Sequence, residues 1–167
     1  MRPQPPLSPM PAAFFVSTTQ LPARTSGDTA NEREMGGPRS LTRLYEAHLA
    51  RAGLTTTQFY ILRTVQRHGG RMALSQLVDD LVFERTSLYR SLAPLQRGAL
   101  VTLRTGSDRR AKVVALTARA QRCIKAASRH WAAAQRTVLE RFGRAAWPAF
   151  ASQLGYLTAI ARSARLE

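Results

Sequence analysis

The sequence has one cysteine, few acidic residues and no long apolar run, and each shortage excludes a class of protein. A single cysteine, Cys123, cannot form an intrachain disulfide, which excludes a small secreted scaffold held together by disulfide bridges. No apolar stretch approaches the roughly 18 residues that a membrane-spanning helix needs. The one candidate signal region, residues 12–16, is short and surrounded by prolines. We therefore expect a cytoplasmic protein with no membrane partner.

Aromatic residues are also scarce, at 7% of the chain against 44% hydrophobic residues overall. A core of this composition must rely on leucine, valine and alanine, which favours helices. With 167 residues the chain has room for one ordinary domain and not for two large ones. We expect a mainly α-helical domain with a single core.

Basic residues greatly outnumber acidic ones: 25 Lys and Arg against 10 Asp and Glu give a net charge of +15. This excess is larger than solubility requires and indicates a polyanionic partner. Seven of the nine prolines lie in residues 1–39, which we expect to form a disordered leader. That leader has four arginines and three acidic residues, a net charge of +1, so the other +14 belongs to residues 40–167.

Apolar residues recur at intervals of three and four along six segments, which predicts six helices. Thr55 and Gln58 form the pattern of a capping box, and Pro94 predicts a kink or a tightened turn within the fourth helix. Two β-branched or apolar runs, 100–104 and 112–116, flank a Gly-containing connection and predict a hairpin. The predicted helices span 41–52, 56–68, 73–81, 85–96, 118–142 and about 147–164.

The order of these elements is that of a winged helix-turn-helix: a short helix, a three-residue connection, a second helix and a basic hairpin. In the second of these helices the leucines face inward, and the opposite face carries side chains that hydrogen-bond base edges and phosphates. Between residues 85 and 112 seven residues are basic and Asp108 is the sole acid. The residues that we expect to contact double-stranded DNA are Arg85, Thr86, Ser87, Tyr89 and Arg90 on the helix and Arg110 and Lys112 on the hairpin.

Two stretches make residues 40–167 similar to the MarR family of dimeric transcriptional regulators. The hairpin sequence from Asp108 to Thr117 resembles the wing of that family, in which an Asp-x-Arg precedes a strand that ends in Leu-Thr. The sequence Arg85-Thr86-Ser87-Leu88, with Pro94 and Gly98 downstream, resembles the recognition helix of the family.

This resemblance implies a fold, an assembly and roles for two wing residues. The fold would be mainly α, a winged helix-turn-helix domain with a two-stranded β wing and with N- and C-terminal dimerisation helices. In the family, the arginine that matches Arg110 enters the minor groove, and the aspartate that matches Asp108 steadies the wing. The DNA-binding core would span 55–117, and the dimerisation helices 40–53 and 118–165.

The same resemblance implies a cleft for a small aromatic acid or phenol, walled by the first, second and fifth helices. The candidate residues are Tyr45, His48, Tyr60, His130 and Trp131. For each of them the alternative is packing in the core or in the dimer interface. For Cys123 the alternatives are a small buried hydrophobe, which the lack of a second cysteine favours, and a redox sensor.

Three functions remain open at this point. The leading hypothesis is a homodimeric repressor that binds a pseudo-palindromic operator and is released by a small ligand. The second is a sequence-tolerant nucleic-acid-binding or packaging protein. The third is an enzyme that acts on an anionic substrate, which we do not expect, because His48, His68 and His130 have no metal-ligand spacing and no catalytic or cofactor motif occurs.

Overall fold

The computed structural model describes residues 41–81, 83–105 and 112–163. The expected leader, residues 1–39, and the tip of the hairpin, which carries Asp108 and Arg110, lie outside the described residues. Helix α1 covers residues 41–49 and continues into one 3-10 turn, Ala50–Ala52, which ends at Gly53. No helix in the described ranges is long and apolar enough to cross a membrane.

Five further helices and three strands follow α1. When the 3-10 turn is counted with α1, the helix predictions are confirmed to within one residue at each described end. Helix α4 continues through Pro94 to Arg97. The elements are α2 (Thr56–Arg67), β1 (Arg71–Ala73), α3 (Leu74–Leu81), α4 (Arg85–Arg97), β2 (Val101–Thr105), β3 (Lys112–Leu116), α5 (Ala118–Phe142) and α6 (Trp147–Ser163).

Side-chain caps fix the starts of two of these helices. At α2 the Thr55 hydroxyl accepts a hydrogen bond from the Gln58 backbone N–H, and the Gln58 side chain accepts one from the Thr55 backbone N–H. This is the reciprocal capping box that the sequence predicts. At α5 the Thr117 hydroxyl accepts from the Ala120 N–H and donates to the Ala99 carbonyl. The start of α5 is therefore tied to the end of α4.

The sheet has one more strand than the two-stranded wing that the sequence predicts. Strand β1 pairs antiparallel with β3, and the strand order is β1-β3-β2. Met72 lies opposite Val114, and both side chains are buried. The sequence did not indicate β1, because three residues are too few to show the alternation of a strand. The β2–β3 hairpin itself is confirmed.

Leucines of α3 and α4 belong to the buried core, and both helices pack against α2. Leu77, Leu88 and Leu92 are fully buried, and they recur at helical spacing on the inward faces of their helices. Phe83, in the connection between the two helices, is also buried, and its backbone N–H donates to the Val78 carbonyl. This packing fixes how α4 is rotated, so its polar face points to solvent.

The end of α4 adopts a Schellman motif. The Leu100 N–H donates to the Leu95 carbonyl, and the Ala99 N–H donates to the Gln96 carbonyl. The left-handed residue of the motif is Ala99, with φ of 52°, although the neighbouring Gly98 would adopt that conformation more readily. The chain thus turns from α4 directly into β2.

Candidate nucleic-acid interface

The solvent face of α4 carries the residues that the sequence assigns to DNA. Arg85, Thr86 and Arg90 are exposed, Tyr89 is 37% exposed, and Ser87 is half-buried. Within the described residues the side chain of Glu84, the N-cap of α4, makes no capping hydrogen bond. The first N–H groups of α4 therefore keep their capacity to bind a phosphate, which a helix N-terminus attracts.

The wing approaches this face from one side. Lys112, the first residue of β3, lies opposite Thr105 of β2, and its ammonium nitrogen lies 5.8 Å from the centroid of the Tyr89 ring. This distance is within the range of a cation–π contact. The structure therefore brings Lys112 together with the α4 residues, while the roles of Asp108 and Arg110 stay predictions.

The described residues of α4 and the wing strands carry basic and no acidic side chains, and the exposed N-cap residue Glu84 adjoins them. Within the described part of the chain none of the cations on α4 and the wing strands forms an ion pair with a carboxylate. An array of exposed cations without ion-pair partners attracts a polyanion, which releases its counterions on binding. The exposed cations are Arg85, Arg90, Arg97, Arg104 and Lys112.

Three of the five residues predicted to bind a small aromatic ligand, the effector, form one buried aromatic cluster with Phe59, which the sequence did not single out as a ligand-binding residue. The Trp131 ring centroid lies 4.1 Å from that of Tyr45, 5.4 Å from that of Tyr60 and 5.5 Å from that of Phe59. The cluster joins α1, α2 and α5. His48 and His130 are half-buried and make no ring contact with it among the described residues.

The helices that form the aromatic cluster also carry buried polar atoms. The Tyr45 hydroxyl donates a hydrogen bond to the Gln135 side-chain carbonyl, a contact that the sequence analysis also missed. Among the described residues three buried side-chain atoms have no hydrogen-bond partner: Gln135 Nε2, His48 Nδ1 and Thr56 Oγ1. Buried polar atoms usually have partners, so these atoms suit a ligand or an ordered water.

Burial changes the acidity of the groups in this region. Desolvation raises the pKa of Tyr45 and that of Tyr60 well above the ordinary value, and for Tyr60 the neighbouring Tyr45 adds to the rise. Both phenols therefore stay neutral at physiological pH. Desolvation also raises the pKa of Cys123, against a smaller opposite effect of Arg119, which disfavours the reactive thiolate.

Helix α6 exposes large apolar side chains. Tyr156 is 70% exposed, Leu157 60% and Ile160 47%, whereas Trp147, at the start of the helix, is buried against Phe142 and Phe150. No residue between 147 and 160 is charged. Adjacent exposed apolar residues of this size are typical of interaction surfaces.

The fold and this interface define a winged helix DNA-binding protein, and comparison with known proteins agrees. A family model described as a winged helix DNA-binding domain matches residues 54–120. The transcriptional regulator MosR of M. tuberculosis, solved in complex with DNA, is 29% identical, with 83% of this chain and 99% of that chain covered and a TM-score of 0.70. Comparison with curated protein sequences gives no match.

Two further solved structures are similar. AbsC from Streptomyces coelicolor, a MarR family transcriptional regulator, is 25% identical over 87% of this chain and 100% of that chain, with a TM-score of 0.68. The organohalide-sensing regulator RdhR in its 2,4-dichlorophenol-bound form is 17% identical over 85% of this chain and 90% of that chain, with a TM-score of 0.71, and shares the fold. The chain is similar to MarR family regulators, and the prediction of a DNA-binding transcriptional regulator is confirmed.

Proposed function

We propose that the protein is a homodimeric repressor that binds a pseudo-palindromic operator and is released by a small aromatic or phenolic ligand. The observation that carries the proposal is the solvent-facing side of α4, where polar and basic side chains lie next to the wing while the leucines of the same helix are buried. A helix with this division of faces fits the major groove. A protein that binds chromosomal DNA in this way would act in the cytoplasm.

In this proposal α4 supplies the contacts that distinguish base pairs. Arg85 and Arg90 are exposed on α4 and have the bidentate geometry that recognises guanine, and Thr86 can bind either a base edge or a phosphate. Ser87 lies at the helix start, where a phosphate is favoured. On the wing Lys112 would contact phosphates, and Arg110, by its resemblance to the family's wing arginine, would enter the flanking minor groove.

Dimerisation would place two copies of α4 in successive major grooves, about 34 Å apart. The exposed apolar face of α6 supports dimerisation, because two copies can bury it against each other. Helix α5 has 25 residues and a length of roughly 37 Å, which is enough to join the wing to such an interface. We therefore assign 55–117 to DNA binding and 40–53 with 118–165 to dimerisation.

The aromatic cluster is the place where we expect the effector to bind. The cluster joins α1 and α5 of the proposed dimerisation helices to α2 of the DNA-binding core. A ligand among its rings would therefore shift the DNA-binding core relative to the dimerisation helices. Offset and edge contacts with Tyr45, Tyr60 and Trp131 suit an aromatic ring. The unpartnered atoms His48 Nδ1 and Gln135 Nε2 suit its polar substituent, with His130 at the margin.

Selection of bound duplexes from random DNA, followed by titration of the selected and a scrambled duplex, tests operator recognition. At roughly physiological salt we expect the selected duplex to bind at least about 10³-fold more tightly. Equal affinities would contradict the proposal and favour a sequence-tolerant nucleic-acid-binding protein.

A screen of small phenols for release of the selected duplex tests the effector, with Tyr45→Leu as the variant that should no longer respond.

A further inference from the structure

The outward face of α5 carries a row of four cations that operator reading does not use. Arg122, Lys125, Arg129 and Arg136 are all exposed, and we call them the basic stripe. At 3.6 residues per turn their positions fall within about 60° of one another around the helix, and they extend over roughly 21 Å of its length. The stripe thus forms one straight line of positive charge.

No ion pair neutralises the basic stripe within the described residues. None of its four cations forms an ion pair there, and Glu140, one turn beyond Arg136, is the sole acidic residue of α5. Among the residues that flank the stripe, Ala126 and Ala132 are exposed alanines, which leave the cations accessible. Four like charges at this spacing repel one another, so a polyanion that contacts all four is strongly favoured.

The chemistry of the stripe fits a nucleic-acid backbone better than a protein. Three of its four cations are arginines, which bind phosphates in bidentate geometry. A protein interface of useful affinity needs a buried aromatic or aliphatic centre, and the stripe and its flanking alanines provide none. Sequence-independent binding to a duplex needs only phosphate contacts, and a length of roughly 21 Å spans about six base pairs.

We infer that the basic stripe is a second, sequence-independent duplex-binding surface, separate from the face formed by α4 and the wing. It begins one turn after the start of α5, which follows the wing directly, and it extends along the axis of α5 away from β3. One protein then contacts a specific duplex through α4 and a second stretch of duplex through α5. Phosphate contacts of the basic stripe do not require that α4 recognise a sequence, and only the capture experiment rests on the proposed operator recognition.

The test compares two full-length variants that lose the same number of positive charges. The stripe variant is R122Q/K125Q/R129Q/R136Q, and the control variant is R51Q/R71Q/R141Q/R144Q, whose four arginines are also exposed. Binding to a random-sequence duplex of about 40 base pairs is measured between about 50 and 200 mM salt. We expect the slope of log affinity against log salt to decrease in magnitude by about 2 to 4 in the stripe variant, and by less than about 1 in the control.

Equal slopes in the two variants would show an effect of net charge alone and would overturn the inference. A second measurement uses wild-type protein held on an immobilised duplex selected for tight binding. We expect it to capture a labelled random duplex, and the stripe variant to lose that capture while it still binds the selected duplex within about twofold. Capture of polyglutamate in place of the second duplex would assign the stripe to an acidic protein and would also overturn the inference.

Discussion

The ammonium group of Lys112 lies over the ring of Tyr89, 5.8 Å from its centroid, and so joins the base of the wing to the exposed face of α4. The two residues are on different elements, and both are exposed on the side of the proposed DNA contact. A DNA phosphate and the Tyr89 ring therefore compete for, or share, the same ammonium group.

We expect Tyr89 and Lys112 to act as a coupled pair. The variants Tyr89→Leu and Lys112→Gln, with the double variant, form a double-mutant cycle on the free energy of unfolding at low salt. A cation–π contact at an exposed site predicts a coupling energy of about 0.5 to 1 kcal/mol. As a control, Arg104→Gln on β2 should show no coupling with Tyr89→Leu. Additive effects for Tyr89 and Lys112 would contradict the pair.

The left-handed backbone of Ala99 predicts a stabilising substitution. Ala99→Gly should raise the free energy of unfolding by up to about 1 kcal/mol, because glycine adopts a positive φ without the strain that a Cβ atom causes. The same exchange at Ala132, exposed in the middle of α5, should lower the free energy of unfolding by about 1 kcal/mol. Urea denaturation of both variants measures the two effects, and a loss of stability in Ala99→Gly would be the contrary result.

The buried phenols predict a loss of stability at alkaline pH. The pKa values of Tyr45 and Tyr60 are raised in the folded state, so their contribution is complete below the unfolded value of about 10 and declines as the pH rises above it. We expect the free energy of unfolding to fall above about pH 10. In Y45F/Y60F this decline should be smaller, because the two ionisable groups are gone. An unchanged pH profile in that variant would assign the decline to other groups.

The exposed face of α6 predicts the state of assembly. Leu157→Asp with Ile160→Asp places two charges on that face, and burial of an unpaired charge is costly, so we expect a folded monomer. Sedimentation gives the state of assembly, and far-ultraviolet circular dichroism checks that the helices persist. The control, Ala118→Asp with Ala126→Asp on the exposed face of α5, should remain dimeric. A dimer in the α6 variant would exclude this face as the interface.

The helices could be predicted from the sequence because each buries one face. Apolar residues at helical spacing, such as Leu88, Leu92 and Leu95, indicate that buried face. The exposed positions of α4 could be predicted for the same reason, because they lie on the face opposite the buried leucines. Their contacts with DNA stay predictions. Strand β1 could not, because its three residues are held by pairing with β3, a relationship that no local pattern contains.

Other features depend on tertiary geometry. Gly98 marks the end of α4 in the sequence, yet the left-handed residue is Ala99, because the hydrogen bonds of Ala99 and Leu100 back to α4 fix the turn. Lys112 and Tyr89 meet only when the sheet packs on α4. Gln135 lies 90 residues from Tyr45, so its hydrogen bond could be found only in the folded chain.

A hydroxyl-radical footprint of the protein on a duplex selected for tight binding tests most directly whether two copies of α4 read DNA together. We expect two protected segments, related by two-fold symmetry, with centres about 10 base pairs apart and with wing contacts in the flanking minor grooves. Arg85→Ala with Arg90→Ala should remove the protection. A single protected segment, or continuous protection without symmetry, would contradict this account.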